Sequence, residues 1–298
     1  MPNNITPLKA WLEAARPKTL TASLSPVLLG TALAVHNGVF RPVAALFCLL
    51  VGLSAQIASN FANDYFDYKK GADRADRLGP ARAVASGWIT PQAMLLATVK
   101  MLAVTCLCGL CLLYFAGWEI IGVGVAVVIF ALAYSAGPFP LAYNGLGDVC
   151  VLLFYGVVPV CFTYYVQAGG FTAQVFLLSL ALGFLSIDIL VVNNYRDYEQ
   201  DKATGKRTTV VIFGKRFAAG FYLFNGMAAL ACALPLLLQY PLWSPFLLAF
   251  AALFFASWRE LKNKTGRELN FVLAHTARNV LLYALFLSLV LIFNRCGS

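Results

Sequence analysis

Nine long apolar runs dominate this chain, at roughly residues 19–36, 42–60, 92–115, 119–136, 149–168, 171–192, 217–239, 243–258 and 276–293. Runs of this length cross ~30 Å of hydrocarbon as helices. Lipid offers no hydrogen-bond partner to an open strand edge, so each segment must satisfy its own backbone and be helical. Only 12% of the residues are charged and 60% are hydrophobic, against about 25% charged in a soluble domain. The sequence therefore predicts an all-α membrane protein, with nine transmembrane helices in a single bundle and residues 1–298 forming one domain. The run 243–258 is the shortest and weakest of the nine.

The basic residues orient the bundle. With the N-terminus inside, the inner segments hold Lys9, Arg16 and Lys18; Lys69, Lys70, Arg74, Arg77 and Arg82; Arg196, Lys202, Lys206, Arg207, Lys215 and Arg216; and Arg259, Lys262, Lys264, Arg267 and Arg278. The outer side keeps Arg41 and Arg295, and Lys100 lies within the third run. This asymmetry marks the cytoplasmic face. It also accounts for the net charge of +9 without nucleic acid, for which the chain carries no binding pattern. The inner connections are the long ones, and long loops on one face of a bundle carry function.

Two acidic motifs fall on that inner face, after the second and sixth runs. The first is Asn60 to Asp73, with Asn63-Asp64-Tyr65-Phe66-Asp67 at its centre; the second is Asn193 to Lys202, with Asp197 and Asp201. Carboxylates beside a bilayer are costly and point to function. Seven of the 13 acidic residues lie in or just after these stretches: Asp64, Asp67, Asp73, Asp76, Asp197, Glu199 and Asp201. That concentration disfavours mere solvation of loop ends. At about 100° per residue, Asn60 and Asp67 share a helix face, Asp64 lies about 60° from Asp67, and Asn193, Asp197 and Asp201 fall within about 80°. Gln56 extends the first stripe one turn deeper.

Hard oxygen ligands with lysines beside them suit Mg²⁺ and a diphosphate. Asn60, Asp64, Asp67, Asp73, Asp197 and Asp201 are the candidate metal ligands. Asp64, Asp67, Asp197 and Asp201 are the candidate catalytic groups. Asn63, Lys69, Lys70, Asn193, Lys202, Lys206 and Arg207 are candidates for the diphosphate. Arg16 and Lys18 could meet an acidic acceptor or lipid headgroups, and Tyr134, Tyr143 and Asp148, on the inner loop after the fourth run, could line an acceptor pocket. Asp188, nine positions before Asp197, points about 180° away from it and reads best as a helix–helix polar contact. Cys108 and Cys111 have metal-ligand spacing, but no second pair accompanies them, and His36 and His275 are isolated; small buried hydrophobes are the simpler reading. Ala32-Leu33-Ala34 near the end of the first run looks like a leader-peptide cleavage site, yet the entry from Trp11 to Pro17 reads as part of the mature fold.

Asn63-Asp64-x-x-Asp67 and Asp197-x-x-x-Asp201 resemble the two signature motifs of UbiA-type membrane prenyltransferases. Arg16-Pro17-Lys18-Thr19 and Gly205-Lys206-Arg207-Thr208 extend the likeness over nearly the whole chain. The run from Asp73 to Pro80, Gly145-Leu146-Gly147-Asp148 and Leu269-Asn270 resemble the 1,4-dihydroxy-2-naphthoate branch. Gly71 stands where the 4-hydroxybenzoate branch usually carries an Asp. The resemblance implies nine helices, a polyprenyl diphosphate bound through Mg²⁺, and an aromatic acid alkylated with loss of CO₂ in menaquinone biosynthesis, at the cytoplasmic face of a bacterial inner membrane. Another aromatic acceptor such as 4-hydroxybenzoate, a transporter, or a non-catalytic isoprenoid carrier are the alternatives.

Overall fold

The computed structural model describes residues 5–71 and 78–295. Asp73 and Cys296 lie outside the described residues, as does the Lys18 side chain.

The helices begin where their sequences provide caps. A short α1 (Pro7–Ala15) leads into α2 (Pro17–His36), α3 (Pro42–Lys69) and α4 (Pro91–Cys111), each with proline in its first turn. Proline's missing N–H costs nothing there. Thr90 caps α4 by accepting from the Ala93 amide at 3.3 Å. Next come α5 (Glu119–Ala133), then α6 (Gly147–Leu152) and α7 (Val158–Ala168), joined through a π-helical turn at Leu153–Val157. After them, α8 (Ala173–Arg196), α9 (Tyr198–Ala203), α10 (Thr209–Gln239), α11 (Ser244–Asn263) and α12 (Leu269–Phe293) complete the chain. Thr172 and Thr208 cap α8 and α10 through the Val175 and Val211 amides.

Among the described residues, eight helical spans are long and apolar enough to cross a membrane. The run 243–258 lies in one of them, Pro241–Asn263. The short one is α5, whose 15 residues reach about 22 Å. It nevertheless joins the two ends of the bundle. Near its start, Tyr165 at the end of α7 donates to Glu119; just past its end, Ser135 bonds Asn63 and accepts from Lys70. Counting α5 with the eight spans, the described residues run the length of the bundle nine times, which returns both acidic motifs to the same end.

The core gathers on α2, α8, α10 and α12, where Leu29, Leu33, Leu182, Tyr222, Tyr283 and Leu287 are buried. Close helix approach depends on small residues, as is usual in membranes. A Cβ on Gly156 would meet the Gly183 Cα at 2.4 Å, so the π turn rides directly on α8. The apolar run at 217–239 is preceded by one more helical turn, because α10 breaks at Gly214 (φ 85°), a left-handed backbone that glycine adopts without penalty.

Candidate active site

With 28 residues, α3 is roughly 42 Å long. It outruns the hydrocarbon, and its last turns carry Asn60 to Lys69 to one end of the bundle. Opposite, α8 ends at Arg196, and Asp197 (φ −92°, ψ 9°) separates it from α9. The single continuous helix expected here is interrupted, although the Asp201 amide still bonds the Asp197 carbonyl at 2.8 Å.

Between these ends opens a cavity of ≈ 560 Å³. Its mouth is polar, with Arg16, Asn63, Asp67, Arg82, Tyr143, Asn193 and Lys206 in the wall. Its depth is apolar and reaches Leu112 and Ile120 at the far end of α4 and α5. The π turn directs Phe154 and Tyr155 into this wall, where Phe154 packs 4.7 Å from Phe130. A charged mouth over an apolar shaft fits an amphiphile with an anionic head and a hydrocarbon tail.

Among the described residues, Asp67 is the first-motif carboxylate that faces the cavity. Its Oδ1 accepts from the Tyr143 hydroxyl at 2.9 Å and its Oδ2 from Arg82 Nη2 at 3.1 Å. Asp64 turns away: its two oxygens accept the Ala83 and Val84 amides, each at 3.0 Å. This clamp fixes the segment after the first motif and sets Arg82 beside Asp67. Asn60 is engaged in the wall. Its amide donates to the Ala15 carbonyl at 2.9 Å and to Thr19 Oγ1 at 3.1 Å, and its oxygen accepts from Gln56 at 3.2 Å. Gln56 in turn accepts from Ser23 at 3.0 Å and Tyr155 at 2.5 Å, so the buried Gln56 and Asn60 side chains are both partnered, as burial demands.

The second motif is similarly tied. Arg196 grips Asp197 with two bonds of 2.7 Å and reaches Asn193 at 2.7 Å and Asn270 at 2.8 Å. Asn270 also donates to the Leu78 carbonyl at 3.0 Å, so one α12 side chain joins the segments that follow both motifs. Asp201 faces Lys206 at 3.5 Å.

Tyr143 is the third joint. The ammonium groups of Lys70 and Lys206 lie 4.6 Å and 5.4 Å from its ring centroid, within cation–π range. Its carbonyl accepts the Arg207 amide at 2.9 Å. Partial desolvation lowers the Lys70 ammonium pKa, and the Asp67 charge pulls it the other way.

Of the remaining candidates, Tyr134 lines the cavity. Asp148 sits just behind that wall, bonded to Thr209, in a small pocket shared with Tyr134, Asn194 and Lys206. Lys69, Lys202 and Arg207 are exposed. Asp188 is buried and accepts from Asn225 at 3.0 Å, away from the cavity. Three residues escaped the sequence reading of the site: Arg82, counted only as an inner-face charge; Asn194, which lines the cavity; and Tyr155 on the π turn. A buried arginine in a membrane protein is the signal that could have flagged the first.

Among the described residues no three of His, Cys, Asp and Glu form a preformed metal cage. The donor set in the mouth wall is nonetheless hard oxygen, from Asn63, Asp67, Asn193 and Asn194, with Asp197 and Asp201 following in the second motif but outside that wall, and Mg²⁺ commonly takes one or two carboxylates plus substrate phosphates. These residues fit that mode.

A helical membrane bundle with two acidic motifs at one mouth defines a class, and residues 23–290 match it: the chain belongs to the UbiA prenyltransferase family. Within the family it is 39% identical over 236 residues to the 1,4-dihydroxy-2-naphthoate octaprenyltransferase of Escherichia coli (strain K12), covering 76% of each chain. To the Mycobacterium tuberculosis protein of the same name it is 35% identical over 289 residues, 96% of this chain and 97% of that one. The fold matches a UbiA homolog from Archaeoglobus fulgidus solved with GPP and Mg²⁺, with a TM-score of 0.71 over 95% of this chain and 99% of that one, at 18% identity.

Proposed function

We propose that this protein transfers a polyprenyl group from polyprenyl diphosphate to 1,4-dihydroxy-2-naphthoate with loss of the carboxyl group, giving demethylmenaquinol for menaquinone biosynthesis. The observation that carries this reading is the cavity that joins both motifs at a charged mouth to an apolar shaft. The relatives' shared name supplies the acceptor. The whole chain acts as one domain, since each half contributes one side of the mouth.

In this reading Asn63 and Asp67 on one side, and Asp197 and Asp201 on the other, hold the divalent cation. Each Asp197 oxygen keeps a lone pair beyond its bond to Arg196. Bound Mg²⁺ would offset charge on the departing diphosphate. Lys70 and Lys206 supply direct cationic contacts, with Lys69, Lys202 and Arg207 adding positive potential around the mouth. Asp64 positions Arg82 by fixing the backbone beside it. The Tyr134 and Tyr143 rings offer π faces to an allylic cation. Arg16, in the same wall, suits the acceptor carboxylate; Lys18 follows it by two positions, and Asp148 supports Tyr134 from behind.

The ring carbon bearing the carboxylate gives an electron pair to the allylic carbon. The bond to CO₂ then breaks, and its electrons restore the aromatic ring. This step needs no base beside the attacked carbon. The two histidines are engaged elsewhere, His36 with the Leu291 carbonyl and His275 with Glu260. The mouth faces the cytoplasm of a bacterial inner membrane, as the basic loops indicate.

Pyrophosphate release by the detergent-solubilised protein tests this. It should require prenyl diphosphate, the naphthoate and a divalent cation together, and stop with chelator. Release without an acceptor, or none with all three present, would argue against the transferase reading.

A further inference from the structure

Asp188 on α8 and Asn225 on α10 meet in the interior of the bundle, at 1% and 0% exposure. Asp188 lies about two helical turns from the Arg196 end of α8. The Asn225 side-chain amide donates to Asp188 Oδ1 at 3.0 Å. The other two oxygens of the pair, Asp188 Oδ2 and Asn225 Oδ1, are buried and have no hydrogen-bond partner among the described residues. Exchanging the amide oxygen and nitrogen of Asn225 does not mend this, because the same donor is only moved and as many oxygens stay bare.

No neighbour supplies the missing donor. Tyr222, one turn before Asn225, pairs its hydroxyl with Thr276 Oγ1 at 3.1 Å. The ionisable groups that act on Asp188 are acids, Asp148 on α6 and Tyr222 on α10, so no positive charge among the described residues stands in for a donor. An ionised carboxylate at this depth, with one N–H and no cation, would be costly. A carboxylic acid differs in one respect that matters here: it carries an O–H donor. One proton removes the charge and satisfies both bare oxygens together.

We infer that Asp188 holds a proton on Oδ2 and donates it to Asn225 Oδ1, closing a ring of two hydrogen bonds between α8 and α10. Asp188 is then a positioning residue, a neutral clasp with no part in metal binding. Asn193 and Asn194 follow it on α8, Lys206 lies just before α10, and all three line the cavity. The clasp fixes the two helices that present them. This inference stands on hydrogen-bond geometry and does not depend on the proposed function.

Infrared difference spectroscopy tests it, on the full-length protein in detergent with aspartate labelled with ¹³C at the side-chain carboxyl. The wild-type spectrum minus that of Asp188→Asn should show the C=O stretch of a protonated carboxyl at neutral pH, displaced by the label. A carboxylate band in its place would overturn the inference. Asp188→Asn should also keep the melting temperature and kcat/KM of the wild type, because a second amide offers the same donor and acceptor. Asp188→Leu should lower the melting temperature by several degrees, since it strands both polar groups of Asn225; loss of folding in this variant alone is the same outcome at its extreme. Equal losses in the two variants would overturn the inference, as would a failure of Asp188→Asn to fold. The exchanged pair, Asp188→Asn with Asn225→Asp, should regain the protonated-carboxyl band, and a folded exchange without it would contradict the pairing.

Discussion

The Tyr143 hydroxyl donates to Asp67 Oδ1 at 2.9 Å, and this bond ties the loop after α5 to the first acidic motif. The same tyrosine meets the second motif's loop through its carbonyl and the Arg207 amide. Its ring, flanked by Lys70 and Lys206, is the point where three loop segments converge.

Tyr143→Phe separates the hydroxyl from the ring. A hydrogen bond to a charged group is worth about 1.5–3 kcal/mol, so kcat/KM should fall about tenfold or more while the protein remains folded. Tyr143→Ala removes the cation–π partner of both lysines and should cost more, with a larger rise in KM for the prenyl diphosphate. Equal, wild-type-like kinetics in both variants would remove Tyr143 from the site.

Asp64 and Asp67 should fail differently. Asp64→Asn weakens the clamp on Ala83 and Val84 and should expose the 78–90 segment to limited proteolysis, with a stability loss of about 1–3 kcal/mol. Asp67→Asn should abolish most activity yet leave the proteolysis pattern unchanged. Identical proteolysis in the two variants would contradict the division of labour drawn from their hydrogen bonds.

These differences mark where the sequence stops being legible. The apolar runs located every long helix, because hydrocarbon selects composition directly. Helical periodicity put Asp64 and Asp67 on neighbouring faces, but 60° of rotation separates a cavity wall from a loop contact, and only the packing of segment 78–90 decides which oxygen meets which. Asn60 shares a face with Asp67, yet its bonds to Ala15 and Thr19 depend on how α2 crosses α3. Arg82 looked like any inner-face charge until the Asp64 clamp placed it in the wall. Asn270 had no visible role, because its two partners lie far off in the chain at Leu78 and Arg196.

Asn270→Ala should loosen both motif segments together. Arg196 loses an acceptor while buried, and the Leu78 carbonyl loses its donor, which together should cost about 2–4 kcal/mol and lower the melting temperature in detergent. Asn270→Asp keeps the acceptor for Arg196 and should recover part of the loss. A variant as stable as wild type would contradict the bridging role.

Topology is open to thiol labelling. A cysteine placed at Leu242, in the connection before α11, should react with an impermeant reagent in intact cells, whereas one at Lys264 should react only after permeabilisation. The reverse pattern would turn the mouth to the outside.

The most direct test of the central claim is the fate of the acceptor's carboxyl group. With 1,4-dihydroxy-2-naphthoate carrying ¹³C in the carboxyl group, the purified protein should release labelled CO₂ in step with pyrophosphate, one for one, and yield a prenylated product without the label. A prenylated product that keeps the label, or a clear preference for 4-hydroxybenzoate, would contradict the account.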